Sequence, residues 1–594
     1  MDKENPDTIS KPTKKPTKTP SNASNSVLKF SPNSSVDISR CDPDAINTWI
    51  YPINYPLRDY QFNIVSKALF QNTLVSLPTG LGKTFIAAVV MYNHYRWFPQ
   101  GKIVFMAPTK PLVAQQIEAC HNICGIPQED TVELTGAQSP DKRKVDWVHK
   151  RVFFLTPQVL QNDLVRDTCP AEDIVCLIID EAHRARGEHA NCVVVRELSN
   201  RNPLFRILAL SATPGTDNTT VQDVVNNLKI SNIELRSEES LDIQKYTHGR
   251  KVDVIVVPLT NTIKEISKQF CICMEPYTSR LVRMQAIWEK DPQRVSRYML
   301  ILARNKFRAN SAAFSPEQKA TVEGDFGICL ALSHAYSLLC QHGVRPFYSA
   351  LYGIVQEAKD GKRISRARQD LLKNPVFVNL MNRIEKMMEE PTFIGHPKLE
   401  KLVSYVVNYF VNHQENNDGL EEDAQSQTRV MIFAEYRESV DEIVKSLNDH
   451  SPMIRPMSFV GQASKKSKKG YTQKEQLAVL TAFKKGGYNV IVSTCIGEEG
   501  LDIGEVDLII CYDSHNSPIR LLQRMGRTGR KRKGRICMLL AEGKEEQMYK
   551  QSQNTYKSIQ RAIASGSKIS LYDGNPKLLP EDVNPVCSKE TLVI

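Results

Sequence analysis

The chain has 594 residues, of which 41% are hydrophobic and 24% are charged, and its formal net charge is +11 at pH 7. This length exceeds what one hydrophobic core accommodates, and the hydrophobic content excludes a wholly disordered chain, so we expect about three globular domains. No apolar run approaches the ~18 residues of a transmembrane helix and no signal-peptide core is visible, which argues against a membrane-embedded or secreted protein.

Residues 1–45 are predicted to form a disordered tail. They are rich in Lys, Pro, Ser, Thr and Asn and contain few large apolar side chains, so burial cannot offset the entropy of ordering. The basic run Lys11–Lys18 is consistent with a nuclear-import signal or with a solvated basic tail. The 14 cysteines are scattered through apolar segments, which favours reduced, buried thiols in the cytosol or nucleus.

Residues 46–244 alternate short apolar runs with helical stretches, which predicts a doubly wound parallel sheet. Near its start, the strand-like run Thr73–Leu77 precedes a glycine-rich turn and a helical run, the context of a phosphate-binding loop. The glycines of such a loop allow backbone N–H groups to converge on a polyphosphate, Lys83 reaches the β- and γ-phosphates, and Thr84 can hold Mg²⁺. Leu77 stands where the general pattern has its first glycine. The predicted phosphate-binding residues are Pro78, Thr79, Gly80, Leu81, Gly82, Lys83 and Thr84.

Polar groups also follow two later strand-like runs of this unit. Asp180 and Glu181 close one run, and Ser211 to Thr213 follow another. Because ligands of parallel sheets bind at the carboxyl ends of the strands, we expect these groups in one cleft. Asp180 would order the Mg²⁺ shell, and Glu181 would polarise the water that attacks the γ-phosphate. The residues predicted to couple this site to a neighbouring site or domain are His183, Ser211 and Thr213.

Between residues 245 and 395 the alternation stops and longer helix-like segments appear. This predicted helical insert holds 23 Lys and Arg against 14 Asp and Glu, a difference of +9. One interpretation is a helical domain that lies along a nucleic acid, and the other is a set of ordinary solvated helix faces. Tyr277 and Trp288 are expected in the core rather than on a base-stacking surface. The basic residues in question are Arg280, Arg283, Arg294, Arg297, Arg304, Lys306 and Arg308.

A second α/β unit is predicted over residues 396–565, with a disordered acidic loop at 411–428 and a C-terminal tail at 566–594. Its run from Thr494 to Ile503 carries glycines where backbone must approach a ligand, and Asp502 could hold a ribose hydroxyl. The run from Gln523 places Arg527 and Arg530 three residues apart on one helix face. Arginines so placed can reach across a cleft to a γ-phosphate and stabilise charge in the transition state.

The order and spacing of these motifs resemble those of superfamily 2 helicases. The resemblance identifies Gln61, in Arg58-Asp59-Tyr60-Gln61, as an adenine contact and Gln523 as a coupling residue. The runs Pro78–Ala88, Ala107–Val113 and Gly497–Arg535 closely resemble the Fanconi anaemia group M family, which includes fungal relatives and the archaeal helicase Hef. Residues that the resemblance assigns to the nucleic-acid backbone are Pro108, Thr109, Lys110, Thr156, Pro157 and Thr494.

This resemblance implies two RecA-like doubly wound parallel-sheet domains with a helical, DNA-binding insert between them. It further implies a nuclear, ATP- and Mg²⁺-dependent DNA helicase or translocase of DNA repair, with 3′-to-5′ polarity. Its expected substrates are replication forks, displacement loops and four-way junctions. Histone-fold and Fanconi-pathway proteins are possible partners.

Two other functions stay open at this point. The related branch of RNA sensors and Dicer-type helicases also places helices between its RecA-like domains, and it predicts an ATPase stimulated by double-stranded RNA. The chain shows no terminal RNA-binding module, which favours DNA. A scaffold that binds junctions and uses ATP only as a switch is the third interpretation, and the presence of all catalytic positions argues against it.

Overall fold

The computed structural model describes residues 38–594, except 247–248, 311–313, 360–364, 391–392, 394, 416–427, 462–470, 495–496, 498–502, 505, 515–517, 527, 529–533, 567 and 576. Within these residues the fold consists of a first α/β unit, a helical insert and a second α/β unit. No helix in this described part of the chain is long and apolar enough to cross a membrane.

The first α/β unit contains a parallel sheet of seven strands in the order β4-β5-β3-β6-β7-β2-β8. Its strands are almost fully buried at the centre because helices cover both faces, as the continuous apolar runs predict. The elements of this unit are β1 (Thr48–Pro52), α1 (Asp59–Ala68), β2 (Thr73–Ser76), α2 (Lys83–Trp97), β3 (Lys102–Met106), α3 (Lys110–Cys124), β4 (Thr131–Leu134), α4 (Pro140–His149), β5 (Val152–Leu155), α5 (Pro157–Val165), β6 (Ile174–Ile179), α6 (Ala190–Arg201), β7 (Arg206–Ser211), α7 (Asn218–Asn227), β8 (Asn232–Leu235) and α8 (Leu241–Gln244).

The predicted N-terminal boundary of this unit is wrong by several residues. Short 3₁₀ turns lie at Ile38–Arg40 and Ala45–Asn47, ahead of β1. Cys41 and Ile46 are buried in the core of the unit, and the Asp42 amide donates to the Trp97 carbonyl at 2.9 Å. These two apolar side chains were enough to fix a segment that composition had assigned to the disordered tail. The rest of that predicted tail, residues 1–37, lies outside the described residues.

A buried histidine makes this unit sensitive to acid. His94 on α2 is fully buried, its Nδ1 lies 2.9 Å from the Val90 carbonyl, and burial lowers its pKa to about 3. In the unfolded chain the imidazole takes up a proton below its ordinary pKa of about 6.5, whereas the folded protein excludes that proton until about pH 3. Stability is therefore lost as the pH falls from about 6.5 towards 3.

We expect His94→Gln to reduce this loss, because the amide keeps a donor for Val90 and does not titrate. Over the interval from pH 6.5 to 5.0 the wild-type histidine should cost about 2 kcal/mol of unfolding free energy. The measurement is the thermal midpoint of each variant at pH 7.5 and 5.0. His149→Gln, at an exposed position on α4, is the matched control. An equal acid-induced drop in wild type and His94→Gln would contradict the assignment.

The helical insert begins later than predicted. Residues 250–257 form strand β9 (Arg250–Val257), which joins the sheet of the second α/β unit rather than the insert. The prediction that the insert begins at residue 245 is wrong here, since β9 is an edge strand of the second sheet with an exposed face. The helices of the insert are α9 (Asn261–Arg283), α10 (Arg297–Ala309), α11 (Pro316–His342), α12 (Val344–Lys359), α13 (Arg366–Lys373) and α14 (Pro375–Glu389).

The insert has a hydrophobic core of its own, which includes Phe270, Phe326 and Phe347. Tyr277 is buried in this core, as predicted, and its hydroxyl donates to the Ala367 carbonyl at 3.1 Å. The prediction that Trp288 lies in the core is wrong, because α9 ends at Arg283 and 79% of Trp288 is exposed. Because Trp288 lies beyond the end of α9, its spacing from the preceding apolar residues does not place it on the buried face of that helix.

The second α/β unit contains a six-stranded parallel sheet in the order β11-β12-β10-β13-β14-β9. Together with the first sheet and the insert between them, this confirms the predicted α/β fold class. The elements are α15 (Pro397–Glu415), β10 (Val430–Phe433), α16 (Arg437–Asn448), β11 (Pro456–Phe459), α17 (Gln473–Lys484), β12 (Val490–Ser493), β13 (Leu508–Cys511), α18 (Pro518–Met525), β14 (Gly534–Ala541), α19 (Lys544–Ser565) and β15 (Val586–Glu590).

The predicted acidic loop at 411–428 starts too early. Helix α15 continues to Glu415, because Leu402, Val406 and Phe410 hold its apolar face on the core of the second unit. Residues 416–427 of that predicted loop lie outside the described residues.

The segment 566–594 is not a tail. Strand β15 pairs in parallel with β1 of the first unit, with Thr48 opposite Val586 and Pro52 opposite Glu590. On the way to β15, Leu578 and Leu579 are buried in the core of the first unit, and the Tyr572 amide donates to the Ile230 carbonyl. The C-terminal segment therefore returns from the second α/β unit to the first. Pairing between strands more than 500 residues apart left no local signal in the sequence.

Candidate nucleotide site

The glycine-rich loop connects β2 to α2 at the carboxyl edge of the first sheet. Gly80 and Gly82 have φ angles of +89° and +80°, in the left-handed region that glycine adopts without strain. A Cβ atom on Gly82 would also overlap the Gln61 amide. Leu77, at the place of the missing glycine, is fully buried in the core, and its amide donates to the Ser211 carbonyl at 3.1 Å. The loop thus extends the sheet by one residue before it turns.

Lys83 begins α2, and its ammonium group lies over the loop. The Nζ atom donates to the Leu77 carbonyl at 2.8 Å. Its charge also acts on the carboxyl groups of Asp180 and Glu181, whose ionised forms it favours. Thr84 is the next residue of the same helical turn. The structure therefore brings the predicted phosphate-binding lysine and the predicted acidic pair to one place.

Asp180 and Glu181 follow β6, the strand that pairs with β3 and β7. The Asp180 amide donates to the Met106 carbonyl at 2.9 Å, which extends β6 along β3. Glu181 has φ = +50°, a left-handed conformation that is strained for a residue with a Cβ atom and that often marks functional sites. The Glu181 amide donates to Oδ1 of Asp180 at 2.9 Å. This turn brings two half-buried carboxyl groups into one site.

The pKa values of the two carboxyl groups are shifted in opposite directions. Burial, together with the neighbouring Glu181 charge, raises the pKa of Asp180 to about 7. Burial also disfavours the charged form of Glu181, but the hydrogen bond and charge of His183 outweigh it and lower the pKa of that carboxyl. Glu181 is therefore the ionised member of the pair, the form that can accept a proton from water.

His183 lies between Glu181 and the strand end at Ser211. Its Nδ1 atom is 3.2 Å from Oε2 of Glu181 and 3.1 Å from Oγ of Ser211. The Ser211 hydroxyl in turn donates to the Thr213 carbonyl. Three of the predicted coupling residues thus form one polar chain that starts at the Glu181 carboxylate.

Gln61 and its neighbour Tyr60 hold the loop from the opposite side. The Gln61 Nε2 atom and the Tyr60 hydroxyl both donate to the Leu81 carbonyl, at 3.1 and 2.8 Å. Sequence reasoning missed Tyr60 and also Tyr246, whose ring lies 5.1 Å from the Arg58 guanidinium and 5.5 Å from the Tyr60 ring. Tyr246 is distant in sequence and carries no motif, so only the fold could reveal it.

The predicted backbone-binding residues of the first unit lie at the same edge of the sheet as the nucleotide loop. Pro108 to Lys110 follow β3 and open α3, and Thr156 and Pro157 follow β5 and open α5. These two strands pair, with Met106 opposite Leu155. Thr494 follows β12 in the second unit, where its amide donates to the Phe459 carbonyl at 3.2 Å.

A cleft separates the two α/β units beside the glycine-rich loop. From the second unit, the N-terminus of β9 and helices α18 and α19 complete its wall. Gln523, the predicted coupling residue, lies on α18 and is buried. Asp502, Arg527 and Arg530 lie outside the described residues, so their predicted roles stay predictions. The cleft is lined by Pro78, Thr79, Ala212, Ser237, Glu238, Glu239, Arg250, Leu521, Met525, Ser552, Gln553, Tyr556, Lys557 and Gln560.

Comparison with known proteins covers both units. Residues 54–216 match a family model described as the type III restriction enzyme res subunit, and residues 411–532 match the helicase conserved C-terminal domain. The crystal structure of the Hef helicase domain of Pyrococcus furiosus has 31% sequence identity and a TM-score of 0.61, over 83% of this chain and 97% of that chain. The chain belongs to the Fanconi anaemia group M and Hef helicase family.

Curated members of the group M and Hef family match almost the whole of this chain. The Fanconi anemia group M protein homolog of Mus musculus is 50% identical over 91% of this chain and 27% of its own length. The ATP-dependent DNA helicase mph1 of Aspergillus oryzae is 46% identical over 93% of this chain and 49% of its own length. The chain therefore spans from about a quarter to about half of the length of these two relatives.

This group M and Hef family member also contains a buried charged network that sequence reasoning missed. Asp513, which follows β13, lies 3.0 Å from Nδ1 of His342 in the insert and 3.9 Å from Nζ of Lys398. The same Lys398 ammonium lies 2.9 Å from Glu545 at the start of α19. All four side chains are almost fully buried. We call this set, His342, Lys398, Asp513 and Glu545, the junction network.

The junction network joins the insert to α18, the helix that carries Gln523. The Asp513 carbonyl accepts a hydrogen bond from Nη1 of Arg524 on α18 at 2.9 Å. Although burial opposes its ionisation, the contacts to His342 and Lys398 hold the pKa of Asp513 far below its usual value. The Asp513 carboxylate thus contacts His342 of the insert, and its backbone carbonyl contacts α18.

Proposed function

We propose that this chain is an ATP-dependent DNA helicase that moves along and remodels branched DNA in DNA repair. The observation that carries the proposal is the cluster of Lys83, Asp180, Glu181 and His183 beside the glycine-rich loop, in a cleft between two RecA-like units. The relatives named as DNA helicases support DNA as the nucleic acid. Replication forks, displacement loops and four-way junctions, with 3′-to-5′ polarity, are the finer proposal.

The residues of the site fit a nucleotide with Mg²⁺. Asp180 is a half-buried carboxyl whose pKa is raised by desolvation and by the neighbouring Glu181 charge, so a cation bound beside it would favour its ionised form. Thr84 and Asp180 would hold the ion. When bound, Mg²⁺ supplies positive charge at the β- and γ-phosphates.

The chain's own residues would divide the remaining work. The backbone amides of the loop and the N-terminus of α2 would bind the phosphates, with Lys83 released from the Leu77 carbonyl to contact them. Glu181, held ionised by His183, would orient the attacking water and accept its proton. Gln61 would contact the adenine, and Arg527 and Arg530 would approach the γ-phosphate when the cleft closes.

The test compares ATP hydrolysis in the presence of forked DNA, linear duplex DNA and double-stranded RNA, with Lys83→Arg as the inactive control. We expect forked DNA to stimulate hydrolysis most and Lys83→Arg to abolish it with every substrate. Stimulation by RNA alone would overturn the DNA assignment in favour of the RNA-dependent branch. Fork binding without turnover would favour a junction-binding scaffold.

Three of the insert's arginines that we considered for nucleic-acid binding are engaged within the insert itself. Arg280 pairs with Asp325 at 2.6 Å, and Arg304 and Arg308 both pair with Glu323. This favours a structural role for those three. Arg283, Arg297 and Lys306 are exposed and remain the stronger candidates for phosphate contacts.

Charge reversal at Arg297 and Lys306 should flatten the salt dependence of fork binding. Loss of two phosphate contacts lowers the slope of log affinity against log salt by about 1.8. The measurement is the affinity for forked DNA between about 50 and 200 mM salt, a range over which phosphate contacts make the affinity fall strongly. The control is Lys401→Glu with Lys445→Glu, two exposed lysines on α15 and α16. An unchanged slope in the insert variant would assign these residues to a solvated surface.

We also propose a nuclear location and association with histone-fold or other Fanconi-pathway proteins, on the ground of membership in the group M and Hef family. Imaging of a tagged chain and co-purification with such proteins test the two statements separately. A cytoplasmic signal that persists after DNA damage would contradict the first. Recovery without any histone-fold protein would contradict the second.

A further inference from the structure

The insert carries an exposed aromatic residue, Trp288, that does not pack in the core of the insert. The chain has four tryptophans, and Trp49, Trp97 and Trp147 are at most 5% exposed, whereas Trp288 is 79% exposed. The next helix, α10, also presents apolar side chains to solvent. Tyr298, Ile301 and Leu302 lie three and four residues apart on one helix face and are 71%, 41% and 51% exposed. A set of exposed apolar side chains on one helix face is a candidate binding surface.

The loop that carries Trp288 is anchored on both sides of it. Ile287 and Val295 are buried in the insert core. The Lys290 carbonyl accepts a hydrogen bond from the Thr278 hydroxyl at 2.9 Å, and the Val295 carbonyl accepts one from Ser333 at 3.0 Å. The loop that presents the Trp288 indole is therefore held in place. A ligand that binds the indole would cost this loop little conformational entropy.

The charge around this surface favours a polyanion. Residues 283–310 hold seven Lys and Arg against two Asp and Glu, a difference of +5 in 28 residues. A protein-binding surface is typically depleted in lysine and charge at its centre, whereas surfaces that bind nucleic acid without base readout combine cations with aromatic rings.

The insert that carries this surface contacts the second α/β unit through His342. Burial raises the pKa of Tyr436 to about 12, and the nearby charge of Arg297 opposes that rise. Tyr436 follows β10 at the carboxyl edge of the second sheet, and its ring contacts His342 of the insert at 4.4 Å between centroids. The charge of Arg297, at the start of α10, thus acts on the sheet edge near Tyr436.

We propose that Trp288 and Tyr298 form a base-stacking surface for unpaired or terminal bases at a DNA branch point. This proposal rests on the proposed function. It adds the aromatic residues that would distinguish a branched DNA from a continuous duplex. A continuous duplex offers its bases only as edges in the grooves, whereas a branch point exposes base faces on which an aromatic ring can stack. The cations of the surface would bind the flanking phosphates.

The test uses the exposure of Trp288 itself. Because the other three tryptophans are buried, iodide quenching of intrinsic fluorescence should report on Trp288, and Trp288→Phe should remove most of it. We expect forked DNA to quench this signal and to protect it from iodide, and a fully paired duplex of equal length to do so much less. Trp288→Ala should weaken fork binding by roughly 5- to 150-fold, the effect of losing one stacked base. Trp288→Phe, which keeps a ring, should retain most of the affinity.

Tyr572→Ala, at an exposed aromatic outside the insert, is the matched control and should leave fork affinity unchanged. If forked DNA stimulates ATP hydrolysis but Trp288 is neither quenched nor needed for fork affinity, the stacking surface is wrong and the helicase function stands. An equal loss of fork and duplex affinity in Trp288→Ala would also overturn branch recognition. If no DNA stimulates hydrolysis in wild type, the proposed function fails first. Retained fork affinity in Trp288→Ala with loss of a co-purifying protein would assign the surface to a protein partner.

Discussion

Glu181→Gln is expected to lower DNA-stimulated ATP hydrolysis by about 10²- to 10⁴-fold, the range typical of a lost general base. The substitution keeps the size of the side chain and leaves the Asp180 carboxyl in place. ATP binding should therefore persist, because the loop, Lys83 and the metal-binding residues are unchanged. What is lost is the ionised carboxylate that His183 holds ready to accept a proton.

The measurement is steady-state hydrolysis with saturating forked DNA, beside the affinity for a fluorescent ATP analogue. Glu188→Gln is the matched control, because the Glu188 side chain is 80% exposed and pairs only with the exposed Arg196 among the contacts described here. It should hydrolyse ATP like wild type. Normal turnover by Glu181→Gln would show that another group is the base, and loss of ATP affinity would show that Glu181 acts in binding.

Lys398→Met should destabilise the second α/β unit by about 3–5 kcal/mol, the usual effect of breaking a buried ion pair from one side. Methionine fills nearly the same volume, so the loss isolates the charge. Without the ammonium, the carboxylates of Glu545 and Asp513 would lie buried beside one another with only His342 to compensate them. Glu545 also accepts hydrogen bonds from the amides of Ser514 and Ala541, so its displacement would loosen two strand ends.

The measurement is the thermal midpoint of unfolding, with Lys401→Met on the exposed face of the same helix as the control. Lys401→Met should change the midpoint little, because exposed lysines contribute within about 0.5 kcal/mol. Adding Glu545→Gln to Lys398→Met should restore part of the stability, since it removes one of the stranded charges. Equal midpoints for the two lysine variants would mean that the junction network does not hold the second unit together.

The residues that the structure brings together in the candidate nucleotide site could be chosen from sequence because each part of that site is local. Lys83 follows its glycines directly, and Glu181 follows the strand that places it, so a short segment fixes both residue type and position. The strained turn at Glu181, by contrast, could not be predicted, since no glycine marks it.

The junction network illustrates why other features of the structure could not be predicted from the sequence. His342, Lys398, Asp513 and Glu545 come from four separate segments, and each of them in isolation has the pattern of an ordinary charged surface residue. Their burial depends on tertiary packing that brings the insert against the second sheet. The prediction for Trp288 is wrong in the opposite sense, because it places an exposed side chain in the core. The helical spacing on which it depends does not continue past the end of α9.

The pairing of β15 with β1 has a mechanical consequence for the cleft. The chain passes from the first unit to the second between α8 and β9. It returns through α19, whose Ile559 and Ile563 pack against the core of the first unit, and through the segment that ends in β15. A body attached to another at a single flexible point can swing in any direction, whereas a body attached at two points can turn only about the line through them. The second attachment should therefore restrict how the two units move relative to each other when the cleft opens and closes.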